Sequence, residues 1–154
     1  MSTTFSHLDE SGRARMVDVS EKPVTRRVAE ASCLVTMAAD TVARLSSLPK
    51  GDALVVARLA GIQGAKSTAL LVPLAHPLPL DQVDVQLDVH AQGILIRSHV
   101  VATARTGAEM EALTACAAAA LALYDMVKAV ERGAVITELR LESKSGGARG
   151  AWLR

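Results

Sequence analysis

Hydrophobic and polar positions alternate most cleanly over residues 83–89, where Val83, Val85, Leu87 and Val89 are separated by Asp84, Gln86 and Asp88. A period of two is the mark of a strand with one wet face. A turn over 90–93 leads into a second apolar stretch over 94–105, so the two segments predict a hairpin. Upstream, residues 28–37 predict a strand and 38–47 a helix, stopped by Pro49 and Gly51. The run over 53–59 is aliphatic without alternation, which predicts a strand covered on both faces. A helical stretch over 61–71 follows, closed by Pro73.

The strongest helical signal begins at Thr106. Thr106, Gly107, Ala108 and Glu109 fit the capping-box pattern, a hydroxyl at the cap and a carboxylate three residues on. An Ala/Leu-rich body then runs to Arg132, with Gly133 as its stop and a predicted length of ~39 Å. Residues 135–141 predict the last strand, and Lys144, Ser145, Gly146 and Gly147 begin a tail. From residue 53 the order is strand, helix, strand, strand, helix, strand. That order predicts an α+β fold, the ferredoxin-like split βαβ with an antiparallel sheet, plus an N-terminal strand and helix. Residues 1–27 are polar and broken by Gly12 and Pro23, so they predict an extended arm ahead of a single domain over 28–154. Two helices on one sheet face leave the other open. The aliphatic run at 53–59 predicts that this face is not wet, and a second subunit is expected to cover it.

Composition narrows the classes. A chain of 154 residues that is 50% hydrophobic can bury a core and does not describe a disordered segment. The most apolar window, 112–124, falls short of the ~20 residues that a membrane-spanning helix needs. A net charge of +1 and only three aromatics, Phe5, Tyr124 and Trp152, argue against a nucleic-acid binder. The polar start shows no apolar signal region, and Cys33 and Cys116 stand far apart in apolar contexts. They predict buried thiols in a reducing compartment, hence a cytoplasmic protein.

Several segments bear chemistry. Residues 60–67 nearly spell a phosphate-binding loop, but Ala60 and Ala65 stand where the close approach of a phosphate needs glycine. Three prolines, Pro73, Pro77 and Pro79, fix the backbone around His76, which holds one imidazole with little entropy left to lose. No second ligand stands near it at metal-binding spacing. Asp125 and Lys128 lie three apart on one helical face among apolar neighbours. An acid and an ammonium so placed are expected to have displaced pKa values suited to proton transfer; an ordinary helix ion pair is the plainer reading. Glu109 is expected to cap the helix. Glu111 shares a stripe with Asp125 but stands 14 residues away, ~21 Å along the axis. The five lysines, Lys22, Lys50, Lys66, Lys128 and Lys144, fall largely at element junctions, where a converging set would suit a polyphosphate.

Six ordered segments carry a resemblance. They are residues 16–20 (Met-Val-Asp-Val-Ser), 60–63 with Lys66, 73–78, 106–114, 124–129 and 144–147. Together they make the chain similar to the cyclic pyranopterin monophosphate synthase family of molybdenum-cofactor biosynthesis over nearly its full length. The resemblance implies a lyase that converts a 3′,8-cyclised dihydro-GTP to a tricyclic pyranopterin bearing a cyclic phosphate, with release of pyrophosphate. It implies Asp125 as the catalytic acid/base with Lys128 assisting, and Leu74, Ala75, His76, Met110 and Glu111 as substrate-binding residues. Lys66, Lys144 and Lys50 would surround the triphosphate. The family also implies a homo-oligomer, a hexamer built as a trimer of dimers, with active sites at subunit interfaces. No resident cofactor or metal is implied, although magnesium can accompany the triphosphate. Ala75 stands where the family usually has cysteine, which removes a contact group and leaves every acid, base and phosphate ligand in place. Composition and spacing by themselves leave a non-catalytic ligand-sensing oligomer and a structural assembly domain open.

Overall fold

The computed structural model describes residues 6–154, so the first five residues of the expected arm lie outside the described residues. Five strands form one antiparallel sheet: β1 (Thr25–Thr36), β2 (Leu80–His90), β3 (Gly93–Ala104), β4 (Val135–Ser145) and β5 (Trp152–Leu153). Their spatial order is β2-β3-β1-β4-β5. Four helices accompany them: α1 (Ala39–Val42), α2 (Ala53–Lys66), α3 (Thr68–Leu71) and α4 (Glu109–Val127). The architecture is α+β and ferredoxin-like, as the order of elements led one to expect.

The unit is assembled from different pieces than the pattern indicated. Residues 53–59 are the first two turns of α2, not a strand. The reason is local: Asp52 caps the helix, its carboxylate accepting from the N–H groups of Leu54 and Val55. The β-branched pair Val55 and Val56 then continues as helix, because α2 packs along α4 and that packing overrides propensity. The strand over 28–37 is therefore the first strand of the split βαβ, and it occupies the middle of the sheet. Val28 pairs with Val101 of β3 on one side and Ser145 of β4 on the other. The hairpin of β2 and β3 turns between His90 and Gly93, where the pattern placed it.

Alternation along β1 sends Ala29, Ala31, Cys33 and Val35 into the core, where each is almost fully buried. On β3, Ile94, Ile96, Val100 and Ala102 do the same, against Ala112, Ala115, Cys116, Ala119 and Leu123 of α4. The Ser98 hydroxyl joins this layer by donating to the Ala112 carbonyl at 2.7 Å. Small residues let α2 and α4 approach closely. A Cβ on Gly64 would stand 2.5 Å from the Ala118 Cβ. Buried on its inner side, α4 is a core helix, yet by length and composition alone it is apolar enough to cross a membrane. The shorter window counted from sequence understates it.

The other face of the sheet is polar. Glu30 meets His99 at 3.0 Å and accepts from the Ser143 hydroxyl at 2.9 Å. Arg97 pairs with Asp88, and Glu142 takes both Arg140 and the Ser32 hydroxyl. An apolar cover over this face is thus not needed, which corrects the expectation built on residues 53–59. Exposed apolar side chains are found on the helical layer, at Val55 and Leu59 of α2, Leu70 and Leu71 of α3 and Leu121 of α4, and on strands at Val89, Val135, Leu139 and Leu153.

Candidate active site

A cavity of about 470 Å³ opens where four segments meet: the N-terminal arm, the loop before β2, the start of α4 and the end of β4. Leu74, Ala75 and His76 enter it from the proline-rich loop. A turn fixes that loop, the Ala75 N–H donating to the Val72 carbonyl at 3.0 Å. Met110 and Glu111 enter from the first turn of α4, Lys144 from the end of β4, and Val17 and Val19 from the arm.

The entry to α4 differs from the expected capping box. Ala108 is the N-cap and no side chain caps the helix. Glu109 folds over Gly107, where the absent Cβ leaves it room, and pairs with Lys144 at 2.9 Å. Lys144 is therefore held by β4 pairing and an ion pair, not in a tail. Glu111 has a different environment: the residue is only 3% exposed. Burial pushes its carboxyl up to about 7, its own backbone N–H works against this, and the nearby Glu109 charge adds to it.

A second cluster lies at the far end of α4. Asp125 Oδ1 meets Lys128 Nζ at 2.6 Å, and Asp125 Oδ2 meets Lys50 Nζ at 2.7 Å. Lys50 also donates to the Asp125 carbonyl at 3.0 Å. The helix ends at Val127, so Lys128 is its C-cap, and the predicted continuation to Arg132 is a turn over 128–130 followed by irregular backbone. In the single chain Asp125 and Lys128 keep side-chain exposures of 52% and 50%. The expected apolar seclusion is therefore absent within one chain, because the neighbouring Leu123, Met126 and Val127 point into the core. Hydrogen bonds from Lys128 and then Lys50 hold the Asp125 carboxyl down to about 2.

The chain thus brings together Leu74, Ala75, His76, Met110, Glu111 and Lys144, and groups Lys50, Asp125 and Lys128 apart from them. Fourteen residues of helix separate Glu111 from Asp125, ~21 Å. Lys66 is the exposed last residue of α2 and lines neither cluster. Residues 60–66 are continuous helix, so no phosphate-binding loop exists there. Lys22, one of the five lysines noted above, also lines the cavity, together with three cations to which the sequence assigned no role: Arg27, Arg105 and Arg149. Gly146 and Gly147 both have positive φ, 95° and 78°, and the Arg27 guanidinium lies where a Gly147 Cβ would be.

The same segments are those shared with known proteins. The chain is 54% identical to the cyclic pyranopterin monophosphate synthase of Streptomyces coelicolor over 152 residues, 97% of this chain and 89% of that protein. It is 55% identical to the same-named enzyme of Cereibacter sphaeroides over 150 residues, 95% of this chain and 94% of that one. The likeness to cyclic pyranopterin monophosphate synthase 2 of Mycobacterium tuberculosis is 52% over 152 residues, 97% of this chain and 91% of that one. The profile of the MoaC family matches residues 16–147, from the arm segment that walls the cavity to the second glycine behind Lys144. An alignment that runs through every wall of the cavity and through both clusters of α4 leaves one conclusion: the chain belongs to the MoaC family.

Proposed function

We propose that the chain is a lyase of molybdenum-cofactor biosynthesis that converts 3′,8-cyclised dihydro-GTP to cyclic pyranopterin monophosphate and pyrophosphate. The observation that carries this reading is the convergence of residues 74–76, 110–111 and Lys144 on one cavity, although they lie far apart in sequence. Those are the positions at which the family resemblance expects the substrate. A cavity of this size suits an elongated nucleotide, with apolar walls for a ring and cations for a triphosphate.

The chain's own groups divide the chemistry. Closing the cyclic phosphate forms a bond from a sugar hydroxyl oxygen to the α-phosphorus and breaks the bond to the leaving pyrophosphate. Cations around the phosphates stabilise the charge that develops on that leaving group. Asp125, held near 2, is ionised at neutral pH and serves as the base, with the Lys128 ammonium as its proton-bearing partner. Glu111, near 7, holds a proton over part of the physiological range. Magnesium accompanies the triphosphate, and the reaction draws on no resident cofactor.

One chain separates Asp125 from its own cavity, so the complete site needs a second copy whose α4 end reaches this cavity. The exposed Val55, Leu59, Leu70, Leu71 and Leu121 offer apolar surface for such an assembly. We take that assembly to be the hexamer, a trimer of dimers, in the cytoplasm, with Lys50 and Lys66 delivered to phosphates across subunits. Incubation with the cyclised nucleotide, followed by mass spectrometry, tests the reading. The tricyclic cyclic phosphate with equimolar pyrophosphate is expected; recovery of unchanged nucleotide would end it.

A further inference from the structure

The two ammonium groups that flank Asp125 come from different parts of the chain. Lys128 stands at the end of α4 itself, whereas Lys50 arrives from the segment over 38–52, which holds α1 and a tight turn. The turn is well formed. Gly51 takes a φ of 105°, its N–H donates to the Leu48 carbonyl at 2.9 Å, and the Ala53 N–H donates to the Leu45 carbonyl at 3.0 Å. Leu45 and Leu48 are buried, which sets how deep the segment lies. Apolar burial is non-directional, so it does not set where the segment stands along α4. Among the described residues, hydrogen bonds join 38–52 to the end of α4 through two side chains only. One is Lys50, on Asp125. The other is Glu131, whose two carboxylate oxygens accept from the Ala38 N–H at 3.0 and 3.2 Å.

Glu131 is itself fixed. Its N–H donates to the Val127 carbonyl at 2.9 Å, and the Tyr124 hydroxyl donates to the Arg132 carbonyl at 3.1 Å, which ties down the chain after Lys128. The residue is half-buried, and among the described residues no cation pairs with it. A carboxylate spent on a backbone N–H holds chain in place, and a bond to a charged acceptor is the strong kind. We propose that Glu131 is a positioning residue for the Asp125 centre: by holding residue 38 to the turn that carries Lys128, it keeps Lys50 within hydrogen-bond reach of the Asp125 carboxylate. It bonds neither Asp125 nor Lys50 and acts through the backbone of Ala38. The inference rests on the reading of Asp125 as the base of the reaction. Misplacing a supporting group by about 1 Å can cost about 10²-fold in rate. Here it would draw away an ammonium that lies 2.7 Å from the carboxylate and helps to keep it ionised.

Steady-state kinetics of the full chain on the cyclised nucleotide, with NMR titration of the Asp125 carboxyl, test the role. Glu131→Ala is expected to lower kcat about 10-fold, the worth of one hydrogen bond to a charged group, and to change KM less than about two-fold. In the same variant the Asp125 pKa should rise from about 2 part of the way toward 3.8. Glu131→Gln keeps one acceptor oxygen without the charge and should recover most of the loss. In a Lys50→Met background, Glu131→Ala should lower kcat no further, because the two side chains then act as one unit. An equal loss in both backgrounds would make the role merely structural and overturn the proposal. So would Glu131→Gln falling as far as Glu131→Ala, or an Asp125 pKa that stays at about 2 in Glu131→Ala. If the parent leaves the cyclised nucleotide unchanged, the reaction assignment falls and the titration alone decides: a raised Asp125 pKa upholds the positioning, and an unmoved one overturns it.

Discussion

The two ends of α4 place a carboxyl in opposite circumstances. At its start, Glu111 is buried and its pKa is pushed up to about 7. At its end, Asp125 is half exposed between two ammonium groups and held down to about 2. The same helix thus carries one acid that can hold a proton near neutrality and one that cannot. Burial decides the first and pairing the second. Groups whose environments drive their pKa values apart are the ones that divide acid and base work. What differs from a compact catalytic pair is the separation, which one chain cannot close.

The largest test breaks the comparison at the exposed end. Asp125→Asn should lower product formation about 10²-fold or more while ligand binding persists, as expected on losing a general base. Turnover at the parent rate would leave Asp125 a surface ion pair, and a ligand-sensing module would become the better description. The next test concerns the buried end. The native state holds the Glu111 proton up to about pH 7, whereas the unfolded chain releases it near its ordinary 4.5. Between those values the native state binds more protons, so stability falls as pH rises and levels off above 7. The shift corresponds to about 3 kcal/mol. Urea unfolding from pH 4 to 8 should show this slope, and Glu111→Gln should flatten it; an unchanged slope in the variant would place the titration elsewhere. The smallest effect sharpens the pairing. With Lys50→Met, the Asp125 pKa read by NMR should rise from about 2 toward 3.8, and a value that stays put would leave Lys128 as the sole partner. Any contribution of Asp125 to stability is present above pH 3.8 and is lost as pH falls through about 2.

Much of the fold was legible because its signals are short-range. The hairpin over 80–104 announced itself by period two and a tight turn, and α4 by its Ala/Leu body. Residues 53–59 misled because the run does not alternate and the β-branched Val55 and Val56 favour strands in isolation, while the Asp52 cap and the glycine-lined contact with α4 decide for helix. The capping box misled for a related reason. Glu109 has a stronger suitor in Lys144, and that partner is brought beside it only by β4. The site divides the same way. Leu74 to His76, Met110, Glu111 and Lys144 could be named from ordered motifs. Arg27, Arg105 and Arg149 could not, because each belongs to a different segment and nothing in local spacing foretells that they face one hollow.

The central place of β1 has a bearing on how the chain assembles. It precedes both of its neighbours in the sheet, β3 and β4, in the chain and is therefore made before either. Until β3 is made the nascent β1 has neither neighbour, and until β4 is made it keeps one unsatisfied edge. Helical pairing of α2 with α4 can begin without it, but satisfying the second edge of β1 must wait for β4. Termination after β3 and before residue 135 would therefore release a fragment with its middle strand half paired, a natural target for chaperones and proteases.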